Sequence, residues 1–180
     1  MPELTMHILI DGYNLIRQSV NLKRFERQSL EAGRNALIAW LADYQSIKDH
    51  LITVVFDGWE NGQPQEERDY SCGISIIYSS RGVKADDVLK RITAATDEEI
   101  LVVSSDREIA SYAARRGKAA LSSAEFESIV NQKSSPQADN QVISQKDEEE
   151  EKNSRPTSKK GQAHKLSRAQ RQAQSKIRKL

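Results

Sequence analysis

Apolar residues gather into short runs that stop abruptly at acidic or glycine residues. Between the runs lie stretches in which apolar residues recur every three or four positions. Met6–Ile10 is the first such run and ends in Asp11-Gly12, as a buried strand does on meeting a turn. Leu30, Leu37, Leu41 and Tyr44 fall at helical spacing and predict an amphipathic helix over about 26–48. Leu51–Phe56 is rich in β-branched residues and ends in Asp57-Gly58, a second strand. Glu60–Ser71 is polar and broken by Gly62 and Pro64, which predicts a mobile loop. Ile74–Tyr78 reads as a third strand. Ala85–Ala95 reads as a helix, with Val88, Leu89 and Ile92 on one face and Asp86 and Asp87 in its first turn, where the helix dipole favours acids. Ile100–Val103 is a fourth strand, Arg107–Arg116 a helix stopped by Gly117, and Ala119–Leu121 a short fifth strand. Ser123–Val130 closes the pattern as a last helix, with Ser123 as the expected N-cap.

Strands alternating with helices imply an α/β fold with a mostly parallel sheet covered on both faces. Ligands of such sheets sit at the carboxyl ends of the strands. Beyond Asn131 the periodicity stops. The chain therefore divides into a body over 1–131, a polar and acidic linker over 132–151, and a basic tail over 152–180. The composition after residue 131 buries too little apolar surface to fold alone. In the tail, Leu166, Ala169, Ala173, Ile177 and Leu180 fall near one face, so 165–180 is expected to become helical on meeting a partner.

Charge sharpens this division. The whole chain of 180 residues carries a net charge of only +1, but residues 1–131 hold 15 basic and 20 acidic side chains, whereas 132–180 hold 12 and 6. From Lys152 to Leu180 there are 10 basic residues and no acidic one. An acidic body with a basic extension points to nucleic acid or another polyanion. No apolar run approaches the roughly 20 residues that span a bilayer, so no membrane role is expected. Met1–Ile10 lacks the features of a secretory signal, and the cytoplasm is the expected compartment. The single cysteine, Cys72, forms no internal disulfide, and His7, His50 and His164 are too scattered for a histidine metal site.

The chemistry lies in where the acids fall. Asp11 follows the first strand, Asp57 the second and Asp106 the fourth, while Asp86 opens the helix after the third. In a parallel sheet these points share one edge. Converging carboxylates repel one another and favour a cation, and an oxygen-only donor set selects Mg²⁺ or Mn²⁺ over zinc. The plainer alternative stays open at this point: Asp-Gly after a strand is ordinary turn chemistry, and Asp at a helix start is an ordinary cap.

The stretches HILIDGYN (7–14), VVFDG (54–58), YSSRGVKADDVLKRI (78–92) and VVSSDREIASYA (102–113) resemble the YacP-type NYN domain, a bacterial branch of the PIN-like nucleases. The resemblance covers about 6–130. It implies a three-layer α/β/α sandwich with a five-stranded parallel sheet in the order 3-2-1-4-5, and metal-dependent cleavage of RNA. It further implies, for some members, action on messenger RNA at the ribosome. Carried over by motif, Asp11, Asp86 and Asp106 are the metal-binding acids and Asp57 a fourth acidic member. Asn14 orients a water or a phosphate, and Ser104 or Ser105 hydrogen-bonds a carboxylate. In that reading water attacks the phosphorus and leaves 5′-phosphate and 3′-hydroxyl ends. One departure stands out: many relatives carry a glutamate four residues after the Asp86 equivalent, where this chain has Lys90. Lys90 then either binds substrate phosphate or weakens the metal site.

Substrate grip is expected from Arg17, Lys84, Lys90 and Arg107, with Lys23, Arg24, Arg27 and Arg81 nearby. Tyr13 and Trp59, beside the Asp11 and Asp57 turns, either stack on an unpaired base or pack into the body. The basic tail would add salt-sensitive affinity for RNA or a ribosome. The competing function is a non-catalytic RNA- or ribosome-binding adaptor with a degenerate site. The pattern predicts no oligomeric state.

Overall fold

The computed structural model describes residues 5–58 and 62–134. Six strands and six helices follow in the order β1 (His7–Asp11), α1 (Gly12–Gln18), α2 (Val20–Glu26), α3 (Leu30–Ile47), β2 (Leu51–Phe56), β3 (Glu67–Ser71), β4 (Ile74–Tyr78), α4 (Ala85–Ala95), β5 (Ile100–Val103), α5 (Arg107–Arg115), β6 (Ala119–Leu121) and α6 (Ser123–Ser134). The strands form one mixed sheet in the order β3-β4-β2-β1-β5-β6.

This sheet differs from the expected five-stranded parallel one in count and order because an edge strand is added outside β4, while β4-β2-β1-β5-β6 keep the expected succession. Residues 67–71, expected to lie in a loop, instead form the edge strand β3, which pairs antiparallel with β4 from Glu67↔Tyr78 to Ser71↔Ile74. Its burial explains why the pattern hid it. Glu67, Arg68, Asp69 and Tyr70 are all exposed, so neither face shows an apolar alternation. Backbone pairing and the tight reversal at Cys72-Gly73, where both residues have positive φ, hold the strand instead.

β1 is the centre of the sheet, paired in parallel with β2 on one side and β5 on the other. Its residues read as a continuous apolar run because both faces are covered. Ile8 and Ile10 join Val54, Phe56, Leu101 and Val103 beneath α1, α3 and α6. Leu9 joins Val55, Ile77 and Val102 beneath α4 and α5, against Val88, Leu89 and Ile109.

The expected helix over 26–48 resolves into α3 alone, capped by Ser29, whose Oγ accepts from the Ala32 N–H. Two short helices, α1 and α2, precede it and carry no sustained periodicity. Ser19 closes α1 and caps α2 by accepting from the Leu22 N–H. The cap of α6 is Ser122 rather than Ser123. Ser122 accepts from the Glu125 N–H while the Glu125 carboxylate accepts from the Ser122 N–H and hydroxyl, a reciprocal capping box. α6 runs to Ser134, beyond the expected end at Val130. The linker and tail from 135 onward, including the expected helix over 165–180, lie outside the described residues, as does Trp59. Among the described residues, no helix is long and apolar enough to cross a membrane.

The turn from β1 into α1 is tightly packed. A Cβ on Gly12 would sit 2.4 Å from Phe56 Cε1 and 2.9 Å from Val54 Cγ1. Gly12→Ala is expected to destabilise the domain by about 1–3 kcal/mol through overpacking, read as a lowered midpoint in urea denaturation.

Candidate active site

The carboxyl edge of the parallel strands opens into a cleft of about 840 Å³. Its lining includes Asp11, Asp57, Asp86 and Asp106 together with Asn14, Arg17 and Lys84. Each acid arrives on a different element. Asp11 is the last residue of β1 and the N-cap of α1, Asp57 follows β2, Asp86 lies in the first turn of α4, and Asp106 caps α5.

Asp11 is buried, at 8% exposure, and its two oxygens have separate partners. Oδ1 accepts from the Asn14 N–H at 3.3 Å, and Oδ2 accepts from the Ser104 hydroxyl at 3.2 Å. Burial outweighs these bonds and, with repulsion from Asp86 and Asp106, raises its pKa to about 6. Asp86 is also raised, first by burial and then by Asp106, although Lys90 and Lys84 oppose the shift. Asp86 and Asp106 therefore stand close enough to disfavour the ionisation of Asp11, and Asp106 that of Asp86. Asp106 accepts from the Glu108 N–H at 2.6 Å, and its own N–H donates to Ser104 Oγ at 3.2 Å. Ser104 thus ties Asp11 to the Asp106 turn. Asp57 is exposed on the same cleft.

The rest of the Ser-Ser-Asp turn is held from elsewhere in the chain. Asn14 Oδ1 accepts from the Ser105 N–H at 2.9 Å and from the Ser123 hydroxyl at 2.7 Å. A backbone N–H only donates, so Oδ1 faces the turn and the Asn14 NH₂ is the end left for a ligand. Ser105 Oγ accepts from the Ser123 N–H rather than binding a carboxylate. On the other side, Ser79 accepts from the Gly58 N–H and donates to the Val83 carbonyl, fastening the Asp57 turn to the loop that leads into α4.

The expected basic residues are dispersed. Arg17 lines the cleft, where Nε donates to Glu26 at 3.1 Å and the guanidinium lies over the Tyr13 ring. Lys84 lines it at the start of α4. Lys90 is ion-paired with Glu108 of α5, which keeps its pKa up, and it does not line the cleft. Arg107 is exposed and also lies outside the lining, as do Lys23, Arg24, Arg27 and Arg81. Tyr13 is packed rather than presented, with its ring 5.1 Å from that of Phe56.

Arg34 and Tyr78 line the cleft and were missed by the sequence pattern. The signal for Arg34 was a charge placed on the apolar stripe of α3, between Leu30 and Leu37. Tyr78 reads only as the end of a strand.

The model for the YacP-like NYN domain matches residues 8–179. This chain belongs to that family. The NYN domain is a branch of the PIN-like nuclease superfamily, which supports a nuclease, RNA-related role. The chain is 29% identical over 102 residues to the protein YacP of Bacillus subtilis (strain 168), a stretch covering 55% of this chain and 59% of that protein. Its fold is similar to two crystal structures of Rae1 (YacP) from Bacillus subtilis, one of them a point variant. Each has a TM-score of 0.58 and 26% identity, covering 71% or 70% of this chain and 75% or 74% of the other.

NYN and PIN-like nucleases generally use divalent metals. Among the described residues, no three His, Cys, Asp or Glu side chains converge into a ready-made cage. Mg²⁺ needs none, since it takes one or two carboxylates and keeps several waters. The oxygen-only donors and the repulsion that Asp86 and Asp106 exert on Asp11 fit such an ion.

Asp11 sets a sign for stability without metal. Its raised pKa means that the folded state binds more protons than the unfolded state between pH 3.8 and about 6, so stability falls as pH rises through that window. In EDTA, Asp11→Asn is expected to gain on wild type by about 1–3 kcal/mol between pH 4 and 7, measured by thermal unfolding at each pH.

Proposed function

We propose that this NYN domain is a metal-dependent endoribonuclease that hydrolyses phosphodiester bonds of RNA. The observation that carries the reading is the meeting of Asp11, Asp86 and Asp106, brought by β1, α4 and the turn before α5, on one cleft where Asp86 and Asp106 raise the proton affinity of Asp11. Five carboxylates line this cleft (Asp11, Asp57, Glu67, Asp86 and Asp106), and they are costly for a polyanion unless a cation stands between them. Asp11, Asp86 and Asp106 would hold Mg²⁺ or Mn²⁺, with Asp57 as a further acid. When bound, the ion supplies an activated water and stabilises charge on the phosphate in flight.

The chain's own residues set the geometry. Ser104 aims the Asp11 carboxylate and fixes the Asp106 turn through one hydroxyl. Asn14, locked by Ser105 and Ser123, directs its amide NH₂ to a water or a phosphate oxygen. Arg17 and Lys84 flank the acids and attract the RNA backbone. Action in the cytoplasm on RNA associated with the ribosome belongs to the same proposal, with the basic residues of 152–180 adding salt-sensitive affinity. Lys90 and Arg107, outside the cleft lining, would contact RNA only where it runs across the α4 and α5 surface.

The test is cleavage of a labelled single-stranded RNA in Mn²⁺ or Mg²⁺ against EDTA. Wild type is expected to cut only with metal and to leave 5′-phosphate and 3′-hydroxyl ends. Asp11→Asn and Asp86→Asn are each expected to lower the rate by roughly 10²-fold or more while the fold is retained. If free RNA stays intact, the same comparison is made on translating ribosomes. Silence there, with RNA binding that is lost on deleting 152–180, would establish the adaptor instead.

A further inference from the structure

Arg34 lines the cleft, half-buried. Among the described residues it makes no ion pair, whereas Arg17 beside it is tied to Glu26. Its guanidinium is nonetheless held firmly. Nη1 donates to the Tyr13 hydroxyl at 2.8 Å, and Cζ lies 5.6 Å from the centre of the Tyr78 ring. Both rings rest on Phe56, which is wholly buried: Tyr78 stacks on it at 5.7 Å and 22°, and Tyr13 tilts against it at 5.1 Å. The column Phe56–Tyr78–Arg34 therefore starts in the core and ends in a cation on the cleft. One N–H of that cation is used by Tyr13, which leaves the remaining donors of a planar fork that matches two phosphate oxygens.

The position is informative as well. α3 covers one face of the sheet, whereas α4 and α5, which bring Asp86 and Asp106, cover the other. Arg34 thus reaches the cleft from the sheet face opposite the one whose helices bring Asp86 and Asp106. We propose that Arg34 is a substrate anchor that binds, by two N–H···O bonds, an RNA phosphate flanking the scissile one. A cation held firmly on that side of the cleft places the strand in register without touching the reacting atoms. The inference rests on RNA occupying this cleft, and it does not require that the RNA be cut.

The test uses the full chain carrying Asp86→Asn, in Mg²⁺, so that bound RNA stays intact. A labelled single-stranded RNA is made as a series, with one phosphate at a time replaced by an uncharged methylphosphonate. One position is expected to weaken binding by roughly 10- to 100-fold. Arg34→Gln is expected to cost about the same on the unmodified RNA, and the methylphosphonate at that position then to cost nothing further. The slope of log affinity against log salt concentration should fall by roughly 0.7, the value for one single-strand phosphate contact. Arg34→Lys keeps charge and stem but loses the fork, and it carries the test if Arg34→Gln fails to fold. It should bind more weakly than the Asp86→Asn chain and show a reduced penalty for the methylphosphonate at the same position. Methylphosphonates that weaken the Asp86→Asn chain and the Arg34 variants equally at every position would overturn the proposal, as would a chain that binds no RNA. RNA held through Arg34 but never cut by wild type would sink the nuclease reading alone.

Discussion

The arrangement turns on one carboxylate buried at the end of the central strand. Asp11 must sit there because β1 runs between β2 and β5 and delivers its last side chain to the middle of the sheet edge. Water cannot solvate it fully, so a backbone N–H and the Ser104 hydroxyl do so in part. They do not finish the task. The remaining deficit, made worse by Asp86 and Asp106, is an electrostatic demand that a cation would meet. The surrounding elements preserve that imbalance: the Ser104 bridge, the Asn14 lock and the Ser79 clasp each hold an acid-bearing turn in place without neutralising it.

Much of the architecture was legible because burial on both faces leaves a plain mark. β1, β2, β4 and β5 read as apolar runs, and the acids that matter stand where those runs stop. What escaped detection follows from the same rule. β3 is exposed on both faces, so its side chains carry no trace of the strand, and its pairing lives in the backbone. α1 and α2 are too short for a period to repeat. Within the site, the acids announced themselves by position in sequence, but their partners did not. Ser123 belongs to the last helix, and only the tertiary fold brings it to Asn14, 109 residues away. Arg34 was visible as a charge on an apolar stripe, but nothing in the sequence says that the stripe ends at a cleft.

Lys90 shows how far a local departure can be absorbed. A lysine four residues after Asp86 puts a positive charge on the acid-bearing face of α4. In the fold Glu108 reaches across from α5 to take that charge, so the ammonium is turned between the two helices. Asp86 still feels Lys90, but burial and Asp106 outweigh it, and its pKa remains raised. The two helices that deliver Asp86 and Asp106 are thereby joined at their surface.

The long-range bonds around Asn14 also bear on how the protein comes into being. A chain made from its N-terminus presents Asp11 and Asn14 early, when neither Ser104, 93 residues on, nor Ser123 exists yet to hold them. Contacts at such separation close last, after the local helices and the first strand pairs. The growing polypeptide therefore carries its acidic centre unassembled until the final helix is in place. Completion of the site waits on the last helix of the domain.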